Sequence, residues 1–240
     1  MPPDVVVVVP TYNEAGNLAA VIGGVRTIGA EVLVVDDGSP DGTGDIADEL
    51  AASDVGVHVM HRTMREGLGP AYAAGFAAAL ATGAGVVCQM DADGSHDPAV
   101  LPLLLTALED GHDVAIGSRY VPGGGTVGWS SWRRLLSRGG NWYARRLLGL
   151  NVHDATSGYR AYRAAALAQL DSASCEAAGY AFQVEMTYRT ETIGFDAVEV
   201  PIQFVDRQTG TSKMTARIAV EAMWLVTRWG VRRLRLRSAT

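Results

Sequence analysis

No stretch of this 240-residue sequence reaches the roughly 18 consecutive apolar residues that a membrane-spanning helix needs. The best candidate, residues 218–231, is interrupted by Glu221 and Arg228. A secretory leader is not expected either, because the apolar run at 5–9 is too short and meets Pro10 at once. Cysteine is scarce. Cys88 and Cys175 stand alone, which excludes a disulfide framework and a zinc knuckle and makes a reducing, cytosolic setting the expectation. There is no low-complexity tract and no repeat at solenoid spacing. The Gly-x-Gly-x-x-Gly turn is missing after the first apolar run, which argues against a dinucleotide-binding domain.

What remains is ordinary globular composition, 48% hydrophobic and 19% charged, at a length that suits one domain with a sizeable core. The net charge of −6 conceals a split. Residues 1–115 hold 17 acidic and 3 basic side chains, whereas residues 116–240 hold 9 and 17. The first half is suited to a cation, the second to phosphates or an anionic surface.

Apolar runs at 5–9, 32–35, 55–60, 86–90 and 114–117 predict strands. Helices are expected at about 15–27 with Asn13 as N-cap, at 43–52, at 70–82, and at 98–109 behind Asp97-Pro98. Strands alternating with helices predict an α/β fold, with a mostly parallel central sheet flanked by helices. Gly67-Leu68-Gly69 reads as turn chemistry rather than a phosphate loop.

The stretch 86–96 organises the rest. Residues i and i+2 of an extended strand project to one side, so Asp91 and Asp93 converge at the strand's carboxyl end. Ligands of open parallel sheets bind at that edge. Two converging carboxylates repel unless a cation or a set of donors lies between them. A hard divalent ion takes one or two carboxylates and fills its shell with water and substrate phosphates. The plain alternative is a loop that caps the next helix. Glu14 and the Asp36/Asp37 pair also follow strands. A nucleotide, with its ribose hydroxyls and metal-bound diphosphate on this rim, accounts for all three acidic loops at once.

After Tyr120 the character changes. Residues 129–150 carry Trp129, Trp132, Trp142 and five arginines with no acid. They form either a surface helix with a solvated basic stripe or an amphipathic segment at a membrane interface. Residues 154–160 return to turn chemistry. Helices are expected at 164–170 and 180–193, a strand at 198–202, and a mobile loop between Arg207 and Lys213. A long amphipathic helix closes the chain from about 214 to 236, with Trp224 and Trp229 set among arginines either for a membrane surface or for packing on the sheet.

The motifs Pro10-Thr11-Tyr12-Asn13-Glu14, Asp36-Asp37-Gly38-Ser39-Pro40-Asp41-Gly42-Thr43, Asp91-Ala92-Asp93 and Gly117-Ser118-Arg119-Tyr120 resemble those of family 2 glycosyltransferases of GT-A fold. Asp154-Ala155-Thr156-Ser157-Gly158-Tyr159-Arg160 and Ser212-Lys213-Met214 look like those of the polyprenyl-phosphate (dolichyl-phosphate) mannose synthases. The resemblance implies inverting transfer of mannose from GDP-mannose to a polyprenyl phosphate, with Mg²⁺ or Mn²⁺. It implies that Pro10, Tyr12, Glu14, Val35 and Asp37 hold the guanosine. Asp91, Ala92 and Asp93 would meet the metal-bound diphosphate, with Asp91 and Asp93 as metal ligands. Arg119, Arg207 and Lys213 would neutralise phosphates, and Arg133 and Ser137 would join Arg119 around the acceptor phosphate. Catalysis would rest on Asp93, Arg119 and Arg133. Some members place a metal-binding Gln where this chain has Ser95, so water is expected to substitute there. The implied division is a catalytic domain over 1–213, with 129–150 as an interface segment inside it, and a basic amphipathic helix over 214–240. The enzyme would work peripherally on the cytoplasmic face of a membrane, alone or with a membrane partner protein, and no nucleic acid is expected.

A phosphate acceptor is already anionic near neutral pH, since its second pKa is about 6. It needs charge neutralisation rather than a base. His96 is therefore expected to orient the 91–95 loop, and Asp154 to orient an arginine, with the role of base as the alternative for each. Three other functions compete. One is transfer of glucose or an aminosugar from a UDP donor. Another is a processive polysaccharide synthase, disfavoured by the lack of Gln-x-x-Arg-Trp and of a membrane channel. The third is a non-catalytic nucleotide-binding membrane adaptor, disfavoured by the intact acidic pair and its cations.

Overall fold

A computed structural model describes residues 4–206 and 216–237. β1 (Val5–Thr11), β2 (Glu31–Asp36) and β4 (Val86–Gln89) are buried almost throughout, as suits parallel strands covered on both faces. With β3 (Val57–His61), β5 (Val114–Ser118), β7 (Arg160–Arg163) and β8 (Ala197–Pro201) they form a seven-stranded sheet in the order β3-β2-β1-β4-β7-β5-β8. All neighbours are parallel except β7, which runs antiparallel between β4 and β5. A small parallel pair, β6 (Gly125–Val127) with β9 (Gln203–Val205), lies apart.

The period of two along β1 sorts its valines between two cores. Val7 and Val9 meet α1 (Leu18–Thr27), α2 (Thr43–Ser53) and α4 (Leu101–Glu109). Val6 and Val8 face α3 (Leu68–Ala81), α5 (Ser131–Leu148), α6 (Ala164–Leu170), α7 (Ala181–Ile193) and α8 (Ala216–Arg237). The small residues of α3 let it lie close on the sheet. A Cβ added at Gly75 would come within 2.3 Å of a Val8 methyl carbon. Helix α8 packs on α5 and α7, and sends Leu225, Val226 and Trp229 into the same core as the sheet. Among the described residues no helix is long and apolar enough to cross a membrane.

Most elements fall where the hydrophobic pattern puts them, but the short pair β6 and β9 is not expected from it, and two further features differ. Asn13 is not the N-cap of α1. It sits in the left-handed region with φ of 58°, its amide donates to Ser39 Oγ (3.0 Å), and Asn17 occupies the cap position. The helix starts late because Leu18 is the first residue of its buried face. Strand β7 starts on the last residue of the segment read as turn and runs through three residues assigned to no element. Arg160 and Tyr162 give it no apolar run. Both are nonetheless fully buried, because all but one of their side-chain polar atoms find partners indoors. Arg160 donates to the carbonyls of Ala155, Ser157 and Gln183, and Tyr162 donates to Gln89 Oε1.

Candidate active site

Parallel strands deliver their carboxyl ends to one edge of the sheet, and the acidic loops gather there. Pro10, Tyr12, Glu14, Asp37, Asp91, Ala92 and Asp93 line a single cleft. Arg65, Gly67, Leu68 and Tyr180 complete its walls. Val35 stands apart from the cleft lining. Its side chain is fully buried beside Gly75, so backbone is what it can offer a ligand.

The neighbouring aspartates at the carboxyl end of β2, Asp36 within it and Asp37 just beyond, divide their work. Asp36 turns inward and accepts from Thr11 Oγ1 (2.9 Å) and from the amide and hydroxyl of Ser39 (3.0 and 2.5 Å). It fastens the loop. Asp37 faces the cleft and pairs with Arg62 at 2.7 Å. Burial raises the Asp37 pKa, and Arg62 only partly offsets this. Arg65 lays its guanidinium over the Tyr12 ring, 4.1 Å from the centroid.

Each carboxylate of the Asp91/Asp93 pair is held by a neighbour. Tyr72 donates its hydroxyl to Asp91 Oδ1 at 2.9 Å. Burial, reinforced by Asp91, drives the Tyr72 pKa far up, so that phenol remains a donor. Asp93 Oδ1 accepts from the amide and the hydroxyl of Ser95, at 3.0 and 2.5 Å. The Ser95 hydroxyl proton is thus directed at Asp93. Gly158 approaches from the far side, where a Cβ would lie 3.1 Å from Asp91 Oδ2. His96 is buried, stacks on Tyr159 with ring centres 5.0 Å apart, and accepts the Asp91 amide at Nδ1 (3.3 Å). Burial lowers its pKa against the pull of Asp91 and Asp93, so the ring is neutral. Among the described residues no group of three or more His, Cys, Asp or Glu side chains converges as a metal cage. The donor set is two oriented carboxylates. That suits a hard ion which draws its other ligands from phosphate and water.

A second, basic site adjoins. Arg119, at the end of β5, donates Nε and Nη2 to the two oxygens of Asp154 at 2.7 and 2.6 Å. Burial opposes the charge of both partners, yet each holds the other ionised: the Arg119 pKa is raised and that of Asp154 lowered. Arg119 Nη2 also reaches Thr156 Oγ1 (2.8 Å), which accepts from Asn141 of α5 (2.9 Å). Asn141 returns a bond to the Ser137 carbonyl, and Tyr120 donates to Ser137 Oγ at 2.6 Å. Arg133, in the first turn of α5, pairs with Asp206 at 2.7 Å and stacks on Trp129. Arg119, Arg133 and Ser137 therefore share one neighbourhood. Arg207 and Lys213 lie outside the described residues.

Sequence reading missed Arg62, Arg65 and Tyr72 on the acidic side, and Thr156 and Asn141 on the basic side. One signal was available for the arginines: with Arg26, they are the three bases of an otherwise acidic first half.

The profile of the family described as "Glycosyl transferase family 2" matches residues 6–171. A polyprenol monophosphomannose synthase of Mycolicibacterium smegmatis is 53% identical over 230 residues, covering 94% of this chain and 86% of the relative. An undecaprenyl-phosphate mannosyltransferase of Micrococcus luteus is 52% identical over 229 residues, covering 95% and 94%. Among solved structures, the mannosyltransferase PcManGT of Pyrobaculum calidifontis, in complex with GDP-Man and Mn²⁺, superposes with a TM-score of 0.59. It is 16% identical, covers all of this chain and 76% of its own, and shares the fold.

Proposed function

Given that the chain belongs to glycosyl transferase family 2, we propose that it moves mannose from GDP-mannose to a polyprenyl monophosphate, with inversion at the sugar carbon. The two bacterial relatives, each more than half identical, bear names of that reaction and support the reading. The observation that carries it is the state of the ionisable groups beside the basic site. Asp154 is committed to Arg119 at both oxygens, and its pKa is lowered. His96 is buried, with Nδ1 taken by a backbone amide. Neither is poised to take a proton. A sugar hydroxyl acceptor would need such a base. A phosphate monoester, ionised near neutrality, does not.

The reaction is then a single displacement. An acceptor phosphate oxygen bonds to the anomeric carbon from the face opposite the diphosphate. The bond from that carbon to the diphosphate oxygen breaks, and its electron pair leaves with GDP. The protein's task is to bring two anions together. Arg119 and Arg133 offset the acceptor's charge, with Ser137 beside them, as donors already in place before the acceptor arrives. Pro10, Tyr12, Glu14 and Asp37 bind the nucleoside, and Val35 contributes backbone. Arg207 and Lys213 are assigned to the diphosphate on their motif positions. Asp91 and Asp93, with Ala92 between them, hold a divalent cation. Mg²⁺ and Mn²⁺ both suit two carboxylates plus phosphate oxygens. When bound, the cation supplies neutralisation of the departing diphosphate.

The acceptor's lipid tail requires contact with a bilayer. On one flank of α5, Trp132, Leu135, Leu136 and Trp142 are exposed. That flank lies on the membrane, and the protein works peripherally at the cytoplasmic face, by itself or beside a membrane partner. Labelled GDP-mannose, UDP-glucose and UDP-N-acetylglucosamine, each given with metal and a short polyprenyl phosphate, test the assignment. Organic-phase label from GDP-mannose is expected. Label from a UDP-sugar alone, or from none of them, overturns it.

A further inference from the structure

The indole of Trp129 sits between the two arginines of the basic site. The Arg133 guanidinium carbon lies 4.1 Å from its ring centre, and that of Arg119 lies 5.4 Å away. Phe204 closes on the ring edge-to-face at 5.4 Å. A phenylalanine would serve equally as an apolar wall, and nearly as well as a face for cations. The indole differs by one N–H, and here that N–H is buried with no acceptor. Buried donors are nearly always paired, because leaving one unpaired forfeits its hydration without return. One acceptor, Asn141 Oδ1, is orphaned on the same basic side, and the remaining orphaned donors lie elsewhere: Arg160 Nη1 and Gln183 Nε2 in the internal network, Arg145 Nε and Arg228 Nε on the paired helices α5 and α8. Trp129 Nε1 is the orphaned donor whose ring faces two guanidinium groups.

We infer that the Trp129 N–H donates to the acceptor phosphate, as a third donor beside Arg119 and Arg133. The inference rests on the transfer reaction proposed above, because it is that reaction which brings a phosphate to this site. An anion bridging the two guanidiniums sits against this ring and supplies the acceptor that the N–H lacks. The site already holds one anion, since Arg133 Nη1 donates to Asp206 Oδ1 at 2.7 Å. An incoming phosphate competes with that carboxylate for Arg133, while the ring keeps its place under the cation. Trp129 thereby favours a tetrahedral oxyanion with several acceptor oxygens over a neutral alcohol.

Trp129→Phe keeps the ring and removes the donor. The expected result is a KM for short polyprenyl phosphate raised roughly tenfold, the lower end of what a hydrogen bond to a charged group contributes. The KM for GDP-mannose stays unchanged. A second measurement needs no variant enzyme to be active. In protein labelled with ¹⁵N-tryptophan, the Trp129 indole resonance should move downfield on titration with the polyprenyl phosphate and stay still with the corresponding polyprenol. An unchanged acceptor KM in folded Trp129→Phe overturns the proposal. So does a resonance that ignores the phosphate lipid or answers the alcohol equally. If Trp129→Phe fails to fold, the wild-type titration decides. If wild-type protein transfers no mannose, the reaction assignment has failed, and the titration still reports on Trp129 separately.

Discussion

Arg119 and Asp154 are bonded three times over: two guanidinium nitrogens and the Arg119 amide all donate to the Asp154 carboxylate, at 2.6 to 3.0 Å. Both side chains are buried, Asp154 completely. The amide of Asp154 in turn donates to Glu199 Oε1, so the loop carrying it is itself fixed. The pair aims a permanent cation at the basic site from a rigid base, which is how preorganised electrostatics are built.

Removing one charge of such a pair strands the other. Asp154→Asn is expected to destabilise the fold by about 3–5 kcal/mol, the range for breaking a buried pair. Transfer should fall with it, because Arg119 loses its anchor. Denaturant unfolding and turnover measured together check this. Wild-type stability in Asp154→Asn would show that the pair is dispensable.

At the metal site proposed for Asp91 and Asp93, ligand and support can be separated. Asp93→Asn keeps volume and loses charge, so transfer is expected to vanish while the fold persists. Tyr72→Phe removes the hydroxyl that orients Asp91. Losing such a supporting bond typically costs about 10–100-fold in metal affinity. Activity of Tyr72→Phe should therefore return at high metal, whereas that of Asp93→Asn should not. Metal titrations of both variants distinguish the two roles, and near wild-type turnover in Asp93→Asn would remove the pair from the mechanism.

That contrast also marks what was legible in the sequence. Asp91 and Asp93 could be read because their relationship is local: two residues apart on extended backbone fixes a shared direction. Strands β1, β2 and β4 were legible because burial on both faces demands continuous apolar runs. Tyr72 was not legible as a support, since it acts across a sequence gap that only the closed fold bridges, whereas Asp154 is expected to orient an arginine and the fold supplies which one, Arg119. Strand β7 was hidden for a related reason. Arg160 is fully buried, but its partners are backbone carbonyls, which carry no signature in a sequence. At Ser95, where water is expected to stand in for a ligand, the structure shows the hydroxyl proton spent on Asp93.

His96 makes stability depend on pH. Its folded pKa is lowered, by burial first and against the neighbouring carboxylates. The unfolded chain therefore binds a proton more readily than the folded one. Linkage gives stability that is complete above the unfolded value of about 6.5 and is lost as pH falls through that value toward the folded one. In His96→Gln this component should be absent, so the stability difference between wild type and variant should narrow as pH drops from 7.5 to 5. Parallel curves across that range would contradict a neutral, buried His96.

The last prediction concerns the bilayer, and the fates of two tryptophans in α8 decide its form. Trp229 is 5% exposed, lies in the core, and donates its Nε1 to Glu176 at 2.9 Å. It cannot also anchor the protein in lipid. Cutting the chain after Arg228 would remove Trp229 and confuse loss of anchoring with loss of folding. Trp224 is 58% exposed, with Arg228 over its ring, and is the α8 tryptophan free to reach an interface. On α5, Trp132 and Trp142 are 66% and 65% exposed, with Leu135 and Leu136 on the same flank. Those four positions fall on one stripe of the helix. Burying an apolar side chain of this size contributes about 1.5–3 kcal/mol. Basic groups near an anionic leaflet add about 1 kcal/mol each, screened by salt. The sum predicts reversible binding rather than insertion. Wild-type protein should co-sediment with anionic liposomes at low salt and partly release at high salt. Trp132→Ser with Trp142→Ser should weaken binding at least tenfold, by about 1.4 kcal/mol or more. Trp224→Ser should weaken it less, because it removes one such contact rather than two. Transfer to a water-soluble, short-chain polyprenyl phosphate should persist in all of these variants. Undiminished liposome binding by the double variant would move the contact off α5 and onto a partner protein or another face.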